Sequence, residues 1–180
     1  MTVSRIGFRI NHERRQQANT LFTKLRDTNS TSQISEHLIR EPSSLIMKKF
    51  PVMREFVVHW GDMDALGHVN NTRHLRWMET VRVDLFQKLE MRVEKSSSQG
   101  PILASLKIDY HKPVFYPGNV TVGTRVSHIG NSSFKMENVV YDDAGDLCAS
   151  GECTIVLFDF EASKSVKISD EIRELILTFS

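Results

Sequence analysis

The spacing of apolar residues changes several times along the chain, and each change predicts an element. From Val52 to Trp60, apolar and charged residues interleave as in a strand, and the turn-rich stretch Gly61 to Gly67 follows. Between Asn71 and Leu89 the apolar positions Met78, Val81, Leu85 and Leu89 recur at near-helical spacing, and Trp77 and Phe86 widen the face. That pattern predicts a helix about 28 Å long. Its N-cap would be Asn70 or Asn71, because an Asn side chain accepts from the free N–H groups of a first turn. After the polar stretch Glu94 to Gly100 come strand-like runs at Ile102 to Tyr110, Asn119 to Ile129, Ser133 to Tyr141 and Leu147 to Phe158. Tyr116-Pro117-Gly118, Gly130-Asn131-Ser132 and Asp142-Asp143-Ala144-Gly145 punctuate them as turns. Such short connections imply antiparallel neighbours. Ser169 to Leu177 opens with a Ser/Asp cap and carries Ile172, Leu175 and Ile176, a short terminal helix. The predicted class is α+β: an antiparallel sheet around one long helix, with no internal repeat.

Residues 1–47 break the pattern and are expected to be an N-terminal extension to a domain at 48–180. They are rich in Ser, Thr, Asn, Gln and Arg, and between Arg9 and Thr20 they lack sustained periodicity. From Met1 to Arg26, Arg5, Arg9, Arg14, Arg15, Lys24 and Arg26 face Glu13 as the single acid. That balance fits a targeting segment, which would direct the protein to a mitochondrion or other organelle. A disordered extension or a start upstream of a natural Met47 start reads equally well, and then the expected location is cytoplasmic. On any of these readings the extension is dispensable for catalysis.

Charge removes some partners from consideration. Lys and Arg number 23 against 22 Asp and Glu, a net +1 over 180 residues, whereas binding through nucleic-acid phosphates calls for a basic surface. No apolar run approaches the length of a membrane span, and no secretory h-region follows Met1. Cys148 and Cys153 are too few for a disulfide scaffold and show no zinc-type spacing. Five residues apart in one strand, they would lie on opposite faces as two reduced thiols.

The densest chemistry lies between the first strand and the long helix. His59, Gly61, Asp62, Asp64, Gly67 and His68 fall within thirteen residues that end at Asn70-Asn71. A helix N-terminus offers unpaired N–H groups and a partial positive charge to an oxyanion on a carbonyl. A carboxylate just before it can attack that carbonyl or activate a water. Alternatively, Asp62 and Asp64 serve only to shape the loop and cap the helix. A metal site from Asp62, Asp64, His68 and His74 is disfavoured, since His68 and His74 would point about 240° apart on a helix. No metal or other cofactor is therefore expected.

The segment Trp60-Gly61-Asp62-Met63-Asp64-Ala65-Leu66-Gly67-His68-Val69-Asn70-Asn71, followed by Arg76-Trp77-Met78-Glu79, closely resembles the active-site segment of hotdog-fold acyl-CoA thioesterases of the 4-hydroxybenzoyl-CoA thioesterase type. Ile108-Asp109-Tyr110-His111-Lys112-Pro113, Gly118, Ile129 to Phe134 and Ala149-Ser150-Gly151 extend the resemblance. It implies the hotdog fold, a sheet wrapped around a central helix, and hydrolysis of an acyl-CoA thioester. It assigns Asp64 as nucleophile or general base and the backbone N–H of Asn71 as oxyanion donor. Gly67, His68, Val69, His74, Glu79, Ser132 and Ser133 become the expected substrate-binding residues. Many relatives carry Tyr where this chain has His74, so substrate preference does not transfer. Another hotdog branch uses a helix glutamate as its catalytic carboxylate, hence Glu79, although Arg76 and Arg82 three residues either side offer an ion pair instead. His59 reads as a solvent- or loop-facing residue. Ser132 and Ser133 are hairpin residues or line a neighbouring subunit's pocket. Lys107, Lys112 and Arg125 are either phosphate contacts or ordinary surface charges. The implied assembly is a homodimer or homotetramer, with coenzyme A near a subunit interface. An acyl-carrier-protein substrate is a close variant, and a non-catalytic acyl-CoA-binding or assembly protein is the alternative.

Overall fold

The computed structural model describes residues 49–179 apart from 92, 95 and 96, so the expectations for residues 1–47 lie outside the described residues. The elements run β1 (Val52–Val58), a single 3-10 turn (Trp60–Asp62), α1 (Asn71–Lys88), β2 (Gln99–Tyr110), β3 (Gly118–Ile129), β4 (Ser133–Asp142), β5 (Leu147–Asp159), β6 (Lys164–Ser165) and α2 (Asp170–Leu177). All strand pairs are antiparallel, in the order β1-β3-β4-β5-β2 with β6 added to β5. This is the expected α+β hotdog architecture. Consecutive β1 and β2 lie at opposite edges, so the chain joining them must cross one face of the sheet. That chain is α1, and the crossing makes it central. Among the described residues no helix is long and apolar enough to cross a membrane.

Strand alternation supplies the helix with an apolar bed. Toward the N-terminal half of α1, Trp77, Met78 and Val81 pack with Val58, Val120, Val122, Val140 and Ala149. Toward its C-terminal half, Leu85, Phe86 and Leu89 pack with Val126, Phe134, Met136 and Ile155, and Ile176 of α2 closes that end. Each such side chain contributes roughly 1.5–3 kcal/mol when fully buried. Gly151 of β5 leaves no room for a side chain, since a Cβ there would stand 2.9 Å from the Lys107 carbonyl oxygen of β2 and 3.4 Å from Met78 Sδ of α1. Any larger residue there must push β2 or α1 away.

Apart from β2, which starts at Gln99 inside the stretch read as a polar connection, and the short β6, which was not expected, two features depart from the sequence reading. The first strand ends at Val58, because His59 N–H turns back to the Asp62 carboxylate and leaves Trp60 in the 3-10 turn, exposed. The two cysteines do not lie on opposite faces. Val140 pairs with Ala149 but Tyr141 with Leu147, which makes Cys148 the extra residue of a bulge. Both thiols thereby join buried clusters under α1, and burial raises the pKa of each.

Candidate active site

The segment between β1 and α1 folds as a tight hairpin tied to the helix. Asp62, 5% exposed, accepts from His59 N–H through Oδ2 at 2.9 Å, and its Oδ1 pairs with Arg73 Nε of α1 at 2.7 Å. Its carbonyl accepts from Asn70 N–H at 2.8 Å. One step further out Met63 bridges Val69, and beyond them Asp64 N–H donates to the His68 carbonyl at 2.9 Å. Gly67 closes the tip by donating to the Asp64 carbonyl at 3.1 Å, with φ at +85°, a conformation that strains any residue with a Cβ. Buried Val69 docks the hairpin through its N–H to the Val114 carbonyl.

At this tip the Asp64 carboxylate is held on both oxygens and remains open to solvent. Oδ1 accepts from Leu66 N–H at 2.8 Å, and Oδ2 lies 3.2 Å from His68 Nδ1. The hairpin then runs directly into α1. Asn70 is the N-cap, its Oδ1 taking Thr72 N–H at 2.9 Å and the Thr72 hydroxyl at 2.7 Å. Asn71 is the first helical residue, and its N–H has no acceptor among the described residues. Tyr110 of β2 donates its hydroxyl to the Asn71 carbonyl at 3.1 Å, which fixes that first turn against the sheet.

Beneath the turn His74 is 3% exposed and meets the rings of Trp77 and Tyr110 edge-on, at 5.2 and 5.3 Å between centroids. Burial, with a smaller repulsion from His68, lowers its pKa from 6.5 to about 4. It is therefore neutral at neutral pH, with a buried Nδ1 that has no partner among the described residues.

Gly67, His68, Val69 and His74 thus gather around Asp64 and Asn71, while the other expected residues do not. Glu79 faces outward and pairs with Arg76 at 2.9 Å. Arg82, expected to share that surface pair, turns into the core instead, four residues after Met78 on the buried face. Ser132 and Ser133 sit at the far end of β3 from the hairpin, where their carbonyls accept from Leu157 and Gly130. In one chain they do not reach the site. His59 is exposed, as read from sequence. The three basic residues considered for phosphate are all paired: Lys107 with Asp109, Arg125 with Glu137, and Lys112 with Asp142 and Asp146. Burial alone would lower the Lys112 pKa, but its two carboxylates reverse this and raise it. Sequence reasoning missed the Arg73 tie to Asp62 and the Tyr110 tie to Asn71. Only the fold reveals that Tyr110 ends beside the helix start.

With this geometry, a long helix entered through a carboxylate-bearing hairpin and wrapped by an antiparallel sheet, comparison with known proteins is direct. The model of the thioesterase-like superfamily matches residues 58–176, from the end of β1 into α2. A thioesterase of Thermus thermophilus, solved in complex with coenzyme A and zinc, is 32% identical, with a TM-score of 0.64 over 74% of this chain and 97% of its own. YsmA of Bacillus subtilis is 27% identical over 128 residues, 71% of this chain and 86% of its own. FadM of Escherichia coli, a long-chain acyl-CoA thioesterase, is 22% identical over 114 residues, 62% of this chain and 86% of its own. The chain belongs to the thioesterase-like superfamily. It is a thioester hydrolase of hotdog fold.

Proposed function

We propose that the protein hydrolyses an acyl-CoA thioester to a carboxylic acid and free coenzyme A, with Asp64 as general base or nucleophile and the Asn71 N–H as oxyanion donor. The observation that carries this is the juxtaposition at the hairpin: an oriented, solvent-accessible carboxylate immediately before a helix whose first N–H is unclaimed among the described residues. Along the hairpin, Asp64 pairs opposite His68 and Asp62 opposite Asn70, so Asp64 and Asn71 stand roughly three strand residues, about 10 Å, apart. That span accommodates a carboxylate side chain, a thioester carbonyl and one hydrogen bond in line. As the carbonyl carbon becomes tetrahedral, negative charge grows on its oxygen, where the N–H and the helix dipole stabilise it more than they stabilise the ground state. The Leu66 N–H and His68 hold Asp64 in place during attack. Half-buried Phe56 and Tyr110, backed by the buried rings of Trp77 and His74, give the acyl group an aromatic wall beside the first turn. The coenzyme A bound by the Thermus relative and the substrate class of FadM support this carrier. The narrower kinship with the 4-hydroxybenzoyl-CoA thioesterase type rests on the segment from Trp60 to Asn71 and on Arg76-Trp77-Met78-Glu79.

The test is a panel of aliphatic and aromatic acyl-CoA substrates, with an acyl-carrier-protein thioester beside them, read by release of free thiol from the full chain. Turnover on at least one acyl-CoA well above the rate without protein is expected. Turnover confined to the carrier-protein thioester would reassign the carrier, and none on any would favour a binding protein.

A further inference from the structure

The first turn of α1 carries a charge of the sign that a helix start disfavours. Acids are stabilised there and cations are not, because the free N–H groups already present a partial positive charge. That turn holds no acid, and Arg73 stands in it. The carboxylate that meets Arg73 comes instead from the hairpin, where Asp62 Oδ1 lies 2.7 Å from Nε. This differs from a surface pair, since the Asp62 carboxylate is buried. His59 N–H holds its other oxygen, and Arg73 is the single cation paired with it among the described residues. Loss of the guanidinium would strand a buried negative charge. That charge would lie beside the helix start, because the Asp62 carbonyl accepts from the N–H of Asn70, one residue before Asn71. The second acid of the hairpin, Asp64, sits at the tip with its own partner, His68.

We propose, on the reading of the Asn71 N–H as oxyanion donor, that Arg73 is a positioning residue acting through Asp62: it cancels the buried charge beside the oxyanion site and clamps the hairpin to α1. Negative charge grows on the thioester oxygen as the tetrahedral centre forms, and an unpaired carboxylate nearby opposes that growth. The ground-state carbonyl carries no such charge, so the repulsion falls on the transition state rather than on binding. The clamp adds a geometric part. Arg73 donates its backbone N–H to the Asn70 carbonyl while its side chain holds Asp62, so one residue ties the helix start to the base of the hairpin that bears Asp64. Asp64 and the Asn71 N–H must reach the same carbonyl, and small errors in such placement are costly in rate. Because Arg73 acts through Asp62, removing both members of the pair is better tolerated than removing the cation alone.

The experiment measures turnover number and KM of full-length variants on the best acyl-CoA substrate, with folding checked by circular dichroism. Arg73→Met keeps the apolar stem and removes the charge, and should lower turnover number about tenfold or more while KM stays within a few-fold. The double variant Asp62→Asn, Arg73→Met no longer holds the stranded charge and should recover to within a few-fold of Asp62→Asn alone. Arg73→Lys, which keeps the charge, should stay within a few-fold of the natural protein. A pair that serves only the fold would instead give the double variant the combined losses of the two single ones. A folded double variant about tenfold or more slower than Asp62→Asn would overturn the proposal, and this comparison does not require that Arg73→Met folds. So would an unchanged turnover number in Arg73→Met. Either result, with the natural protein active and Asp64→Asn inactive, overturns the role of Arg73 alone. Hydrolysis of no acyl-CoA by the natural protein, or equal hydrolysis by Asp64→Asn, would overturn the reading of the site and this proposal with it.

Discussion

At the scale of single residues, His74 combines burial, a ring nitrogen with no partner among the described residues and a position under the first turn of α1, beside the proposed site. Its folded pKa, about 4, lies below the 6.5 of the unfolded chain, so between those values the unfolded state binds more protons. Its neutral burial therefore supports the fold fully above pH 6.5, and that support is lost as pH falls toward 4. The shift corresponds to roughly 3 kcal/mol. We expect Tm to fall more steeply between pH 7 and pH 4.5 in the natural protein than in His74→Phe, measured by circular dichroism. Parallel decreases would show that His74 is not the titrating group. None of this was legible in the sequence, which placed His74 near the acyl pocket but said nothing of its burial between two rings. The place of Asp64 at the hairpin tip before the helix was legible because the role proposed for it depends on a local pattern of loop, glycine and helix cap. Arg82 was misread for the converse reason: three-residue spacing from Glu79 suggested a surface pair, and the buried stripe of the helix decided otherwise.

At the scale of elements, the first turn of α1 is the part of the site with the most exacting geometry. Asn71 is the first helical residue, and Asn70 before it has φ −59° and ψ 137°, a conformation that accepts a following proline. Asn71→Pro therefore removes the N–H proposed as oxyanion donor while keeping the carbonyl that Tyr110 binds. Turnover number should fall by about 10²–10³-fold with Tm little changed, whereas Asn71→Ala should retain most activity. Equal damage from both substitutions would mean that the side chain, not the backbone, does the work. The two helices and the five longer strands were readable to within a few residues because alternation and helical spacing are local signals, whereas the two-residue β6 is too short to carry one. The bulge at Cys148 was not, since it depends on which residue of β4 faces which of β5.

At the scale of the whole molecule, β1 and β2 are the edges of the sheet, and the β1 residue Val57 is exposed, as are Trp60 and Leu66 in the hairpin beside it. Exposed edges and apolar side chains next to a reaction site are features that association covers. We expect a homodimer or homotetramer whose partner completes the site, which would give Ser132 and Ser133 a route to the substrate that one chain lacks. Sedimentation at micromolar concentration checks this. A fully active species of about 20 kDa would contradict it.

The central claim is that Asp64 does the chemistry, and Asp64→Asn in single-turnover hydrolysis of the best acyl-CoA substrate tests it most directly. The amide keeps the size of the side chain but is neither base nor nucleophile, so the rate should drop on the order of 10²–10⁴-fold with an unchanged circular dichroism spectrum. Asp62→Asn, which weakens the tie to Arg73, should instead lower Tm and cost less in rate per folded molecule. Hydrolysis by folded Asp64→Asn within a few-fold of the natural protein would contradict the assignment.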